Sequence, residues 1–129
     1  MTHADRIPEI LQQYAGAEFK WGVLDCCLFA AAVVKELTGV DYAESWRGRY
    51  KSHMGALRMI AKHGSLESLV SSVCGEPVPP LLARRGAFVL AGMPEGDAVG
   101  IADGDGAVFL AERGLIRVPL KHCKVAWNV

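Results

Sequence analysis

Apolar positions follow two patterns along this chain: helical spacing up to about residue 75, and short strand-like runs after residue 87. Asp5 to Tyr14 predict a first helix, with Pro8 in its opening turn and Ile7, Ile10, Leu11 and Tyr14 on one face. Gly16 ends it. Ala17 to Leu24 predict a short extended or looping approach in which Phe19 and Trp21 point to the same side. The central stretch runs from Trp21 to Gly39, WGVLDCCLFAAAVVKELTG. No charged residue interrupts it from Cys26 to Val34, so its helix is apolar nearly all round and belongs inside a core. Asp25 precedes the helix as an N-cap, because a carboxylate there accepts from the free N–H groups of the first turn. Lys35 suits the C-terminal end of the dipole and Gly39 supplies a left-handed stop.

Further along, Asp41 to Trp46 predict one short helix capped by Asp41, followed by a small basic loop of Arg47, Arg49 and Lys51 around Gly48 and Tyr50. A third helix is expected from Ser52 or His53 to Lys62, with Ala56, Leu57, Met59 and Ile60 at helical spacing, and Gly64 closes it. Ser65 caps a fourth that reaches Val73 or Cys74, with Leu66, Leu69, Val70 and Val73 inward. The run Glu76-Pro77-Val78-Pro79-Pro80 excludes helix and marks a change of architecture. Five strands are expected beyond it: Ala87 to Met93, Ala98 to Ala102, Ala107 to Glu112, Leu115 to Leu120 and Val125 to Val129. Glycines mark Asp103 to Gly106 and Glu112 to Gly114 as hairpin turns. The expectation is a single α+β domain over residues 1–129, mainly helical in 1–75 and mainly β in 87–129. Its antiparallel five-stranded meander should curl or close on itself, with the core helix packed against it.

Composition narrows the function classes. A chain of 129 residues buries roughly two thirds of its unfolded surface and needs no staples. Its 14 basic and 14 acidic side chains cancel, which gives no electrostatic reason to expect nucleic acid or an anionic membrane as partner. No apolar run is long enough to span a membrane, and the N-terminus lacks the apolar stretch of a signal peptide. Synthesis in a cytosol is expected, with Cys26, Cys27, Cys74 and Cys123 reduced.

Cys26 is the leading chemical candidate, since the first turn of a helix favours a thiolate. A nucleophilic cysteine also needs a base to take its proton and later protonate a leaving amine. Four histidines are available: His3 in the N-terminal tail, His53 and His63 flanking the third helix, and His122 before the last strand. Three readings stand at this point: a small apolar residue at a helix start, a relic with a mildly reactive thiol, or a complete Cys–His enzyme. A metal site would draw on the four cysteines and His122, but adjacent cysteines make poor paired ligands and no CxxC spacing occurs. No metal or cofactor is expected. Asp103-Gly-Asp105-Gly hints at a calcium loop, yet its twelfth position is Gly114 rather than a glutamate, so it reads as a turn. Arg47, Arg49, Lys51, Arg84 and Arg85 read as solvated surface ahead of an anion patch. Trp127 and Val129 suggest a last strand pinned into the sheet or an edge open to a neighbouring subunit.

The run Asp25-Cys26-Cys27-Leu28-Phe29-Ala30, preceded by Trp21-Gly22, resembles the opening of the core helix in NlpC-type cell-wall cysteine peptidases, which share a papain-like core. In that family the motif is DCSG(F/L)V-like. The resemblance puts Cys26 at the nucleophile position and Cys27 at the serine that follows it. Arg85 to Leu90 is similar to the family's first strand, with Ala87 replacing the acid of its proline-glycine-aspartate turn. The next family strand reads HVGIY, and here the matching run is Ala98-Val99-Gly100-Ile101-Ala102. Ala98 therefore stands where the resemblance implies the catalytic histidine, and the third polar position falls near Leu110. WGxxDCxxFAA, RGRY and a terminal AW-x-V look most like a short phage- and prophage-encoded branch placed in or near tail tips. The resemblance implies a papain-like, NlpC-type fold and a catalytically degenerate, structural or assembly-related role. Its implied partners are other phage tail proteins and its implied location the virion tail, after synthesis in the bacterial host cytoplasm. The alternative is an active peptidase or amidase on peptidoglycan, with Cys26 as nucleophile and a displaced histidine.

Overall fold

The structure is a computed structural model that describes residues 3–129, with side chains from Asp5 onward. The side chain of His3, one of the candidate bases, lies outside that range. A 3₁₀ turn (His3–Arg6) leads into α1 (Ile7–Gln12), then α2 (Cys26–Thr38), α3 (His53–Lys62) and α4 (Leu66–Cys74). The strands β1 (Phe88–Met93), β2 (Gly96–Asp103), β3 (Gly106–Ala111), β4 (Gly114–Pro119) and β5 (Val125–Trp127) come after them. The chain is α+β, helices first and one antiparallel sheet second, in the order β4-β3-β2-β1-β5.

The core helix forms where its pattern predicts. Asp25 is extended and its carboxylate accepts from the Leu28 N–H, while Gly39 ends the helix at φ +84°. Leu28, Phe29, Ala30, Ala31, Val33, Val34 and Leu37 are buried, on several sides of the helix. One flank packs with Ile7, Ile10, Leu66 and Leu69 onto the sheet residues Phe88, Leu90, Val99, Ile101, Val108 and Leu110. Leu28 and Ala31 meet Ala43 and Trp46 on another side.

The sheet is covered on both faces. Val89, Ala91, Ala102, Ala107, Phe109 and Ala126 point away from α2 into a second cluster with Leu120, closed over by Val78, Ala83 and Cys123. Burial on both faces explains why the strands read as continuous apolar runs rather than strict alternation.

Several expectations are corrected. The sheet does not close into a barrel: β4 and β5 lie at opposite ends of an open sheet. Only three residues long, β5 pairs with β1 on one side and bridges Val78 on the other through Ala126, so its edge is partly occupied. This is the pinned-strand outcome for Trp127, which is buried, while Val129 lies beyond the strand.

Residues 42–48 form turns rather than a short helix. The Asp41 carboxylate accepts from the Ala43 N–H and pairs with Arg47 at 2.7 Å, closing an Asx-type turn in place of a helix cap. The Arg47 guanidinium holds that carboxyl below its usual range. Leu57 and Val73 are exposed, because α3 and α4 bury only narrow stripes. In the basic set, Arg47 pairs with Asp41, and Arg85 pairs with Asp103 at 2.9 Å and Asp5 at 3.6 Å.

Candidate thiol site and its cleft

Asp25 is the buried polar residue from which the site is built, at 1% exposure. One carboxylate oxygen caps α2, accepting from Leu28 at 3.0 Å. The other accepts from the Gly22 N–H at 3.1 Å and the Tyr50 hydroxyl at 2.5 Å. The aromatic-glycine turn, the helix start and the loop carrying Tyr50 are thereby tied to a single carboxylate. Gly22 is required there: a Cβ on it would lie 2.1 Å from the Tyr50 carbonyl oxygen, and its φ is +80°. Burial, then the hydrogen bond and charge of Asp25, push the Tyr50 phenol far above its ordinary value. Tyr50 therefore acts as a fixed donor.

Cys26 and Cys27 are the first two residues of α2, both half-buried, with their sulfurs 3.8 Å apart. The hydrogen bond shared with the Cys27 thiol, and then the Val99 backbone, hold the Cys26 thiol below its usual value. Burial and the Asp25 charge oppose that shift. Cys27 moves the other way: its hydrogen bond to Cys26, its burial and the neighbouring negative charges push it well above the ordinary range. In this pair Cys26 is the sulfur disposed to ionise.

Above the two thiols lies a cleft of about 300 Å³. One wall is a train of rings: Phe19 meets Trp21 edge-on at 4.9 Å, and Trp21 stacks on the imidazole of His53 at 4.5 Å and 10°. The opposite wall is the sheet. β1 and β2 pair over six positions, whereas β2 and β3 pair over only three, from Asp103 back to Ile101. Beyond Ile101 and Val108 that ladder stops, and Ala98 of β2 and Leu110 of β3 line the cleft. Glu95, Asp97 and Glu112 also lie on its lining, with Asp97 held by Lys124 at 2.7 Å.

Asp25, Cys26 and Ala98 all lie on the lining of this cleft, Ala98 also packing against the second cluster. Neither His63 nor His122 lies there. The first turns its ring to the Met59 carbonyl at the end of α3, and the second sits in a 3₁₀ turn (Leu120–His122). His53 does reach the cleft, but its ring contact is with Trp21. Cys74 and Cys123 are free thiols away from the cleft, each raised by burial. Among the described residues, no group of three or more His, Cys, Asp or Glu side chains is placed to hold a metal ion. Sequence reasoning misses Tyr50 as a site residue. Its only signal is an aromatic ring within an otherwise basic loop.

Fold and site together define an α+β domain with a helix-tip thiol facing an apolar, aromatic-walled cleft. The chain belongs to the DUF6950 family, described as a domain of unknown function, whose model matches residues 1–129. No curated protein matches it.

Proposed function

We propose that this chain is a phage tail-tip component of NlpC-type, papain-like ancestry whose cleft holds a partner or wall peptide without cutting it. The observation that carries this reading is the neighbourhood of the Cys26 sulfur. It contacts a second thiol, and Ala98, at the position the NlpC resemblance implies for a histidine, lines the cleft. A helix terminus and a hydrogen-bonding neighbour ease ionisation of a thiol, but neither returns a proton to a leaving amine. Leu110, near the third expected polar position, is buried and equally inert. A cleft of about 300 Å³ is at the small end of the range that holds ligands, and its walls are largely apolar and aromatic.

One observation favours the alternative of an active peptidase or amidase: His53 lines the same cleft as Cys26. Release of soluble fragments from purified peptidoglycan separates the two readings. Wild type, Cys26→Ala and His53→Ala releasing equally little supports the binding role. Wild-type release abolished by both substitutions would establish the peptidase and end the degenerate reading. Mass spectrometry of gradient-purified virions checks the tail assignment, which predicts the chain among tail components.

A further inference from the structure

Cys26 and Cys27 bring two thiols to one cleft, in contact at 3.8 Å and with opposite tendencies to ionise. The binding reading assigns no chemistry to either sulfur, so the pair is available for chemistry of its own. We propose that Cys26 and Cys27 form a peroxide-reactive vicinal dithiol, in which Cys26 is oxidised first and Cys27 resolves it to a reversible disulfide.

Three features carry this assignment. Both residues line the cleft, which is the space a small hydroperoxide would enter. Cys26 begins α2, where the helix dipole and the Val99 backbone stabilise negative charge on sulfur. The resolving thiol is already in contact, whereas Cys74 sits at the end of α4 and Cys123 donates to the Pro119 carbonyl, both off the cleft.

In the first step the Cys26 thiolate attacks an oxygen of the hydroperoxide. An S–O bond forms, the O–O bond breaks, and the departing alkoxide or hydroxide takes a proton to leave as alcohol or water. Sulfur is oxidised by two electrons and the peroxide is reduced by two. In the second step the Cys27 sulfur attacks the Cys26 sulfur; an S–S bond forms, the S–O bond breaks, and hydroxide leaves as water with the Cys27 proton. Adjacent Cα atoms lie about 3.8 Å apart, below the usual disulfide range, so the product is strained and easily reduced. That suits a transient mark rather than a structural bridge.

The test treats the full chain with hydrogen peroxide and reads intact mass and peptide maps, with dimedone present as a sulfenic-acid trap. Wild type is expected to lose about 2 Da, reversibly with a dithiol reductant, and to map the bond to the 26–27 peptide. The doubly substituted Cys74→Ser, Cys123→Ser chain is expected to show the same loss. Cys27→Ala should instead accumulate the dimedone adduct on Cys26, and Cys26→Ala should show neither product. A wild-type chain that stops at a dimedone adduct or a sulfinic acid on Cys26 overturns the proposal. So does a disulfide that maps to Cys74 or Cys123. Both results are read on wild type and do not depend on any variant folding.

Discussion

At the residue scale, Asp25 does more than the capping its sequence position suggests. It is buried, and its two oxygens accept from two backbone N–H groups and one phenol. The cap was legible because Asp before an apolar run is a local signal that acts within one turn. Tyr50 was not, since it lies 25 residues downstream and reaches Asp25 only once the loop has folded back. Tyr50→Phe removes the donor while keeping the ring. The buried carboxylate is left one hydrogen bond short, and the expected cost is about 1–3 kcal/mol in urea denaturation. A variant as stable as wild type would mean that the Gly22 and Leu28 N–H groups suffice to hold the charge.

At the element scale, capping and periodicity placed the four helices, but residues 42–48 escaped both. Asp41 has the chemistry of a cap, and it spends that chemistry on Ala43 and Arg47 within a turn. Strand β2 illustrates another limit of pattern reading. It begins at Gly96, earlier than the apolar run suggests, because the β1–β2 ladder continues through Gly92 and Asp97 to the hairpin. Its Gly100 is a packing requirement: a Cβ there would lie 2.4 Å from the Val108 carbonyl oxygen and 2.6 Å from the Phe109 ring. Gly100→Ala must therefore push β3 away from β2 just where their pairing ends. The expected loss is about 1–3 kcal/mol, measured by thermal or urea unfolding. Hydrogen exchange should quicken at Ile101, which faces Val108 at the end of that ladder, more than in β4. Uniform exchange across the sheet would contradict the local clash.

At the scale of the whole molecule, several buried acids hold their protons more tightly in the folded chain than outside it. Burial pushes Cys74 up to about 11 from an ordinary value of 9.0, and Cys27, Cys123 and Tyr50 are raised as well. For such groups the unfolded chain releases its protons first. Their contribution is intact below the unfolded value and is lost as pH rises through the folded one. Cys26 has the opposite sign, but it is one group against several. Stability is expected to fall steadily between about pH 9 and pH 11. A urea midpoint series across that window checks it, and Cys74→Ala should shallow the slope. A slope unchanged by that substitution would remove Cys74 from the account.

The chain by itself determined what adjacent residues decide: the buried helix, its carboxylate cap, the cysteine at its tip, and the change from helix to strand after the proline run. These arise from side-chain periodicity and from backbone groups satisfied within a few residues. Tertiary structure decided what distant segments must supply. It brought Tyr50 to Asp25, laid His53 on Trp21, covered the second face of the sheet with Val78 and Ala83, and kept that sheet open. It also parted β2 from β3, so that a cleft stands over the two sulfurs. The physical reason is that such contacts become favourable only after the chain entropy separating the segments has been lost, and no local pattern records which distant pairs will meet.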